Sequence, residues 1–279
     1  MIGSMRPTVA VLGAGSMGQT LVEGLLRAGW EESEVVAVVR RRERVQELTR
    51  LTGVEVTLDA ATAAEGRDVV VIAVKPRDVP GLIDQISSVI TSGQVVISLA
   101  AGVPLALYEK VFPEVPVVRA MPNTPAAVDE GMTAYCGGAH TDEATLDQAA
   151  AVLAAVGDTI HLSEDLLDAV TAVSGTGPAY VFLMAEALTE AAIREGLPHH
   201  AAERLVDQTI RGAGILLAAS DKSAFRLRAE VTSPGGTTAA AMHTLEDGGF
   251  RALLEDAVRS AASRSRELGA EAMASIEEN

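Results

Sequence analysis

Gly13-Ala14-Gly15-Ser16-Met17-Gly18 separates a short apolar run, Val9 to Leu12, from an amphipathic stretch that reaches about Ala28. A G-x-G-x-x-G spacing between a strand and a helix is the pattern of a turn that holds a dinucleotide. The first glycine permits the tight turn, the second lets a diphosphate approach the backbone, and the third lets the helix pack closely on the strand. The amides at the start of the helix then face the phosphates. The alternative is an ordinary glycine-rich turn, but the position between a strand and a helix favours dinucleotide binding.

The strand-then-helix pattern repeats through the first half of the chain. Short runs that are apolar throughout indicate strands covered on both faces, and helical stretches between them indicate a mostly parallel, doubly wound sheet. The further predicted strands are residues 35–39, 69–74, 95–98 and 115–118, and the predicted helices between them include residues 79–90 and 105–111. The sequence therefore predicts an α/β fold that begins with a Rossmann-like domain.

The pattern changes at about Asp165, where long Ala- and Leu-rich segments at helical spacing replace the strands. They cover residues 173–196, 199–220 and 250–268. Aromatic residues make up only 3% of the chain, so a helical domain of this composition buries modest area alone, and we expect a second subunit to complete its core. We predict a dinucleotide-binding domain over residues 1–163 and an all-helical substrate-binding and dimerisation domain over residues 164–279.

Arginines follow the second predicted strand, where NAD-preferring sites carry an acidic residue for the ribose hydroxyls. Arg40, Arg41 and Arg42 occupy that position, and Glu43 is the first acid after them. An arginine can bind a 2′-phosphate through two N–H groups. The alternative, a solvated basic helix start, is unfavourable to the helix dipole. The sequence therefore favours NADPH, with NADH as the weaker alternative and Arg40 as the predicted phosphate ligand.

The composition restricts the possible partners of the protein. The 279 residues carry a formal net charge of −16, which disfavours nucleic acid as a partner and equally disfavours a polybasic membrane patch. The single cysteine, Cys136, cannot form an internal disulfide, and no histidine has a partner at metal-ligand spacing, so no metal is expected. No signal-peptide pattern and no apolar run near 20 residues is apparent, so we expect a cytoplasmic protein without a membrane span.

Several further motifs resemble those of one enzyme family. They are Ala73-Val74-Lys75-Pro76, Ser98 with Ala100-Ala101-Gly102, the stretch Arg119 to Pro125, Ser174 to Tyr180, and Thr232-Ser233-Pro234-Gly235-Gly236-Thr237-Thr238 followed by Leu245 to Phe250. Together they resemble the pyrroline-5-carboxylate reductases, which perform the last step of proline synthesis. The resemblance runs from Val9 to about Leu268, and the Ser-Pro-Gly-Gly-Thr-Thr segment is its most specific part.

The resemblance implies roles for individual residues. It implies hydride transfer from NADPH to the C=N carbon of 1-pyrroline-5-carboxylate, and a helical domain that forms homodimers, often assembled into larger rings. The resemblance and the patterns above together predict these cofactor contacts: Leu12, Gly13, Ala14, Gly15, Ser16, Met17, Arg40, Ala73, Val74, Lys75, Pro76, Ala100, Ala101, Gly102 and Asn123. The implied substrate contacts are Ser233, Gly235, Gly236, Thr237 and Thr238, with the Thr238 hydroxyl as the catalytic group that reaches the ring nitrogen. The family often has Asn near the adenosine after the third strand, where this sequence has Ala60 or Ala61.

Residues 233–238 also read physically as the start of a helix, with capping residues and turn formers in front of free amides. On spacing alone, an anion site and a simple interhelical turn are equally good interpretations.

A related imine or hydroxy-acid reductase and a catalytically idle NADPH-binding protein remain alternatives to the reductase. The sequence contains no obvious Tyr–Lys or Ser–His–Asp arrangement, which suits a reaction that mainly needs two aligned rings.

Overall fold

An eight-stranded sheet forms the centre of the first part of the molecule, in the order β3-β2-β1-β4-β5-β6-β7-β8. The computed structural model describes residues 6–277. All neighbouring strands are parallel except β6 and β7, which are antiparallel. The strands are β1 Val9–Leu12, β2 Val35–Val38, β3 Glu55–Thr57, β4 Val69–Ile72, β5 Val95–Ser98, β6 Val117–Met121, β7 Gly131–Gly137 and β8 Gly157–His161.

The helices divide into two groups along the chain. Those between the strands are α1 Ser16–Arg27, α2 Arg42–Thr52, α3 Ala60–Ala64, α4 Val79–Ile86, α5 Leu105–Val111 and α6 Glu143–Leu153. Those that follow are α7 Leu167–Val170, α8 Gly177–Arg194, α9 His199–Ala219, α10 Ala224–Glu230, α11 Thr237–Asp247 and α12 Phe250–Glu277. Short 3₁₀ turns lie at Glu32–Glu34, Pro76–Asp78, Thr124–Val128, Ala154–Val156 and Glu164–Leu166, and a π-helical turn at Thr171–Gly175.

The side chains of β1 show why this sheet is covered on both faces. Ala10 and Leu12 belong to one buried apolar cluster, and Val9 and Val11 belong to another. Successive side chains of a strand point to opposite faces, so each face has its own core. All residues of β1, β2, β4 and β5 are buried, as the apolar runs predicted. The prediction of an α/β fold with a Rossmann-like sheet is confirmed.

The strand order reverses at β1, which pairs with both β2 and β4. Leu12 lies level with Val38 on one side and with Ile72 on the other. The segments that follow these three strands therefore leave the sheet at the same edge. In open α/β sheets, ligands bind in the crevice outside the carboxyl ends of the strands at such a reversal.

Several predicted bounds differ from the structure. The second and third predicted strands end at Val38 and Ile72, the fifth begins at Val117, and α4 ends at Ile86. The run 69–74 overshoots because the residues of β4 that pair with β1 and β5 end at Ile72. Three of the eight strands, β3, β7 and β8, are not among the apolar runs that predicted the others.

Compact packing divides the chain into two units. The first contains the residues up to Thr176 together with those from Ser260 onward, and the second contains Gly177–Arg259. The second unit is helical throughout, as predicted for the second domain.

The predicted division after residue 163 does not coincide with these units. Leu167 is buried in one of the two sheet cores and Met273 packs against that same core, so residues on both sides of the second unit belong with the sheet. The functional division at residue 163 stays a prediction.

One helical stretch, Glu164–Arg194, is long and apolar enough to cross a membrane by length and composition, with a mean hydropathy of 1.3 over its most apolar window. The expectation that no stretch approaches this length was wrong on that criterion. This window contains small and polar residues among its apolar ones, so it has no unbroken apolar run that the sequence pattern could show. A single such stretch is weak evidence for a membrane span.

Candidate active site

The glycine turn after β1 has the conformation that its sequence predicts. Gly13 has φ +100°, and a Cβ there would lie 2.5 Å from Cγ1 of Val74. A Cβ at Gly18 would lie 2.5 Å from the carbonyl oxygen of Gly13, so this glycine lets α1 pack against the turn. At Gly15 the nearest atom to a Cβ would be the Gly13 oxygen, at 4.0 Å. Protein packing thus demands glycine at positions 13 and 18, while position 15 faces open space in which a phosphate could approach the backbone.

A cleft of about 710 Å³ lies at the sheet edge where the strand order reverses. Its wall combines the glycine turn, the residues after β2, the residues after β4, two residues that follow β5 and one that follows β6. The lining residues are Gly13, Ala14, Gly15, Ser16, Met17, Val39, Arg40, Arg41, Arg44, Ala73, Val74, Lys75, Pro76, Leu99, Ala101 and Thr124. A cleft of this size suits a small-molecule ligand or cofactor.

Most of the predicted cofactor contacts share this wall, but four of them do not lie on it. Leu12 and Ala100 are buried in the apolar core. Gly102 lies in a turn with φ +77°, packed against α12. Asn123 uses its side chain internally: Oδ1 accepts from the amide of Met132 at 2.8 Å, and Nδ2 donates to Ser174. Such internal use indicates that Asn123 shapes the fold here.

Three arginines and one lysine give the cleft a positive wall in a chain of net charge −16. Arg40 Nη1 lies 3.2 Å from Oδ2 of Asp78. Arg44 donates to Gln19 Oε1 at 2.7 Å and lies 2.6 Å from Glu47 Oε1. Arg44 was not among the predicted site residues, although its place in the first turn of α2, close after Arg40 and Arg41, was a usable signal. The arrangement favours an anionic ligand.

Hydrogen bonds of Ser98, the last residue of β5, hold the segment that follows this strand. The Ser98 hydroxyl accepts from the amide of Ala100 at 3.2 Å and forms a buried hydrogen bond with the Tyr108 hydroxyl. Burial raises the pKa of Tyr108 well above its ordinary value, so this phenol stays protonated and can donate.

The same segment is also held by α12. A Cβ at Gly269 would lie 2.6 Å from the carbonyl oxygen of Gly102, so the two backbones are in direct contact. Ser265, one turn earlier on α12, donates to Asp168 Oδ1 at 2.6 Å. Position 269 therefore needs a glycine for close packing.

Arg119 and Cys136 lie away from the cleft wall. Arg119 Nη1 donates to Glu164 Oε1 at 3.0 Å, and the same oxygen accepts from the amide of Leu105 at 2.8 Å. With its side chain only 8% exposed, Arg119 forms a structural ion pair. Burial raises the pKa of the Cys136 thiol to about 11, which makes it unreactive at neutral pH.

The predicted substrate segment lies in the second unit, between α10 and α11. Gly235 has φ +70°, and the amide of Gly236 donates to Ser233 O at 3.0 Å, which closes a tight turn. A Cβ at Gly236 would collide with the Ser233 hydroxyl. Helix α11 then begins at Thr237, and within the described chain no side chain caps it. The amides of Thr237 and Thr238 are therefore free to bind an anion.

An ion-pair network joins the helices on either side of this segment. Arg228 Nη1 on α10 lies 3.1 Å from Glu246 Oε1 on α11, and Arg251 at the start of α12 lies 2.8 Å from Oε2 of the same glutamate. These arginines hold the pKa of Glu246 below its ordinary value, with Arg251 contributing most. Glu246, which lies in the Leu245 to Phe250 motif, thus joins the end of α11 to α10, the helix before the turn, and to the start of α12.

Among residues 6–277, no group of three or more His, Cys, Asp or Glu side chains is placed to hold a metal ion.

Comparison with known proteins gives concordant matches over both parts of the chain. Residues 164–268 match the family model described as pyrroline-5-carboxylate reductase dimerisation, and residues 8–102 match the one described as NADP oxidoreductase coenzyme F420-dependent. The pyrroline-5-carboxylate reductase of Mycobacterium tuberculosis is 41% identical over 93% of this chain and 96% of that protein. The enzyme of the same name from Corynebacterium melassecola is 39% identical over 94% and 98%.

Solved structures give the same result. The structure of a pyrroline-5-carboxylate reductase from Coxiella burnetii matches with a TM-score of 0.90 and 37% identity, over 94% of this chain and 98% of that one. The pyrroline carboxylate reductase of Plasmodium falciparum, solved with NADP bound, matches with a TM-score of 0.84 and 28% identity over the same shares.

Proposed function

Because the chain belongs to the pyrroline-5-carboxylate reductase family, we propose that it reduces 1-pyrroline-5-carboxylate to L-proline with NADPH, the last step of proline biosynthesis. The chain is an oxidoreductase, and NADPH is its cofactor, with NADH as the weaker alternative. The observation that carries the proposal is the cleft in which the glycine turn, three arginines and Ala73 to Pro76 share one wall.

The residues of the cleft fit NADPH from one end to the other. The open space at Gly15 admits the diphosphate to the amides at the start of α1. Arg40, with Arg41 and Arg44 beside it, supplies positive charge for the 2′-phosphate. Ala73 to Pro76, with Ala101, form an apolar wall with one lysine for the ribose and nicotinamide.

The bound cofactor supplies a hydride to the C=N carbon, and a proton completes the secondary amine at nitrogen. An imine is more electrophilic when it is protonated, so a residue that holds the nitrogen in a hydrogen bond assists the transfer. We assign this role to the hydroxyl of Thr238, which is partly buried in the first turn of α11. The hydroxyl orients the nitrogen, because an unperturbed hydroxyl is a poor acid.

The segment from Ser233 to Thr238 is proposed to bind the substrate carboxylate through backbone amides. Free amides at a helix start bind anions without a basic side chain. The turn at Gly235 and Gly236 permits the backbone to present them. A carboxylate site without arginine also avoids competition with the cofactor phosphates for the same cation.

The helical region is proposed to form a homodimer, and dimers can assemble into a larger ring. Within the described chain, α8 has no buried residue, and Phe182 and Leu183 are 61% and 65% exposed. Apolar side chains left exposed on a long helix indicate a protein interface. The same property explains why Glu164–Arg194 resembles a membrane span by composition.

Residues 1–163 are proposed as the cofactor-binding domain, and residues 164–279 as the substrate-binding and dimerisation domain. We propose that the protein is cytoplasmic.

The decisive experiment follows the loss of reduced-nicotinamide absorbance by the purified protein when 1-pyrroline-5-carboxylate is added, with proline measured as the product. We expect oxidation that depends on the imine and yields one proline for each NADPH consumed. A hydroxy acid tested in the reverse direction with NADP serves as the control for a related dehydrogenase. Folded protein that binds NADPH but gives no imine-dependent oxidation would contradict the proposal.

A further inference from the structure

The ion pair between Arg40 and Asp78 joins two segments that are distant in the sheet. Arg40 follows β2 and Asp78 ends the 3₁₀ turn after β4, while β1 lies between those two strands. The contact of 3.2 Å therefore crosses the carboxyl end of β1, where the glycine turn begins. Arg40 itself lines the cleft.

The two partners are exposed to very different degrees. The Arg40 side chain is 73% exposed, whereas that of Asp78 is 25% exposed and its Oδ2 atom is buried. Within the described chain this oxygen has no hydrogen-bond donor, and Asp78 does not cap α4. Arg77 lies only at the other oxygen, with Nε 4.0 Å from Oδ1. Among the residues that the structure describes, Arg40 is thus the one cation that faces Oδ2.

A 2′-phosphate that draws Arg40 toward itself leaves Oδ2 of Asp78 without a partner. A buried carboxylate oxygen that loses its only partner is destabilised, because water cannot replace the lost interaction fully. A cofactor without the 2′-phosphate does not draw Arg40 and does not incur this cost. Asp78 also orients Arg40 before the cofactor binds, which favours the phosphate. Because the Arg40 side chain is exposed and held by a single contact, this orienting effect is smaller than the cost of leaving Oδ2 unpaired.

We propose that Asp78 is a specificity-determining residue, which by holding Arg40 lowers the preference of the cleft for NADPH over NADH. The inference rests on the proposed function, since it assumes that the cleft binds these cofactors. On this proposal, the carboxylate of Asp78 sets how strongly the protein prefers NADPH over NADH.

The test compares Asp78→Asn with Asp84→Asn. Asparagine keeps the shape of the side chain and removes the charge that holds Arg40. Asp84 is exposed on α4, so its replacement changes the net charge equally at a site without Arg40. Binding of adenosine 2′,5′-bisphosphate, 5′-AMP, NADPH and NADH is measured by calorimetry, and KM is measured for both cofactors.

In Asp78→Asn we expect adenosine 2′,5′-bisphosphate and NADPH to bind about three- to ten-fold more tightly, with 5′-AMP and NADH unchanged. Asp84→Asn should alter none of the four. Combination with Arg40→Ala should abolish the gain, because the carboxylate acts through that arginine. Circular dichroism checks the fold, and Asp78→Ser serves as a second variant with the same expected direction.

An unchanged or reduced preference for the 2′-phosphorylated ligands in folded Asp78→Asn overturns the inference, and so does a gain that persists fully beside Arg40→Ala. Either result leaves the proposed function intact when the wild-type protein still reduces the imine. A wild-type protein that binds none of the four ligands overturns both.

Discussion

At the scale of single residues, the three arginines of the cleft wall are held in different ways. Arg44 is fixed by Gln19 and Glu47, and Arg40 is paired with Asp78. The side chain of Arg41 has no hydrogen bond or ion pair within the described residues. Arg41 can therefore meet an anion without breaking an existing contact, whereas Arg40 must leave a carboxylate.

This difference predicts unequal stability effects for two similar substitutions. Arg40→Ala should lower the free energy of unfolding by about 1 kcal/mol, because Oδ2 of Asp78 is left unpaired in a partly buried place. Arg41→Ala should leave the unfolding midpoint nearly unchanged. Both should weaken NADPH more than NADH. Urea titration with nucleotide-binding measurements checks this, and equal stability losses would contradict it.

Thr238→Ala is predicted to lower turnover about ten- to one hundred-fold while leaving the affinity for NADPH nearly intact. The substitution removes the hydroxyl proposed to hold the imine nitrogen and leaves the amides of α11 in place. Thr244→Ala, an exposed threonine on the same helix, is the matched control. Steady-state kinetics gives the result, and wild-type turnover in Thr238→Ala would remove the assigned role.

Cys136 is predicted to resist alkylation in the folded protein. Its pKa is raised to about 11 by burial, so at pH 7 roughly one thiol in ten thousand is ionised. Labelling by iodoacetamide should be very slow at neutral pH, rise with pH, and become fast when urea unfolds the chain. Mass spectrometry over time measures it, and rapid labelling of native protein at pH 7 would show that the thiol is accessible.

At the scale of elements, the contact between α12 and the turn at Gly102 predicts whether a glycine-to-alanine substitution stabilises or destabilises the protein. In an ordinary helix interior, Gly→Ala stabilises by about 0.5–1 kcal/mol. At Gly269 the added Cβ would lie 2.6 Å from a backbone oxygen, so the backbone must shift. Gly269→Ala should destabilise the protein by about 1–3 kcal/mol.

Gly81→Ala on α4 is the control for that substitution, because a Cβ at Gly81 meets nothing within 4 Å. It should be neutral or stabilising. Thermal unfolding of the two variants compares the same chemical change in tight and in open surroundings. A stabilised Gly269→Ala would show that the helix can move away at little cost.

The elements that the sequence predicted well are those whose local pattern agrees with their surroundings. β1, β2, β4 and β5 are buried runs of apolar, mostly β-branched residues, for which propensity and burial agree. β3 has only three residues, and β7 begins and ends with glycine. Strands of that kind form because a neighbouring strand pairs with them, and local sequence does not contain that information.

The candidate site divides in the same way. The glycine turn and the arginines after β2 could be predicted, because each lies within one short segment at a strand end. The contact between Arg40 and Asp78 could not, because it depends on two strands that β1 separates. The internal use of Asn123 is likewise set by residues from other parts of the chain.

At the scale of the whole molecule, the exposed apolar side chains of α8 predict self-association. The wild-type protein should sediment as a dimer or larger at micromolar concentration. Leu183→Glu places a charge on that surface and should shift the protein toward monomer and lower its unfolding temperature. Gln208→Glu, an exposed change on α9 that also adds one negative charge, is the control. A monomeric wild-type protein would contradict the prediction.

The return of the C-terminal residues to the sheet has a consequence for how the protein is made. The first unit includes the residues from Ser260 onward, which are synthesised after the second unit, and Met273 packs against the core that Leu167 also joins. A ribosome that has translated all eight strands has therefore not yet supplied every piece of the sheet's own core. During synthesis, Gly102 and part of the sheet's core therefore stay uncovered until the helices of the second unit and the last part of α12 have emerged.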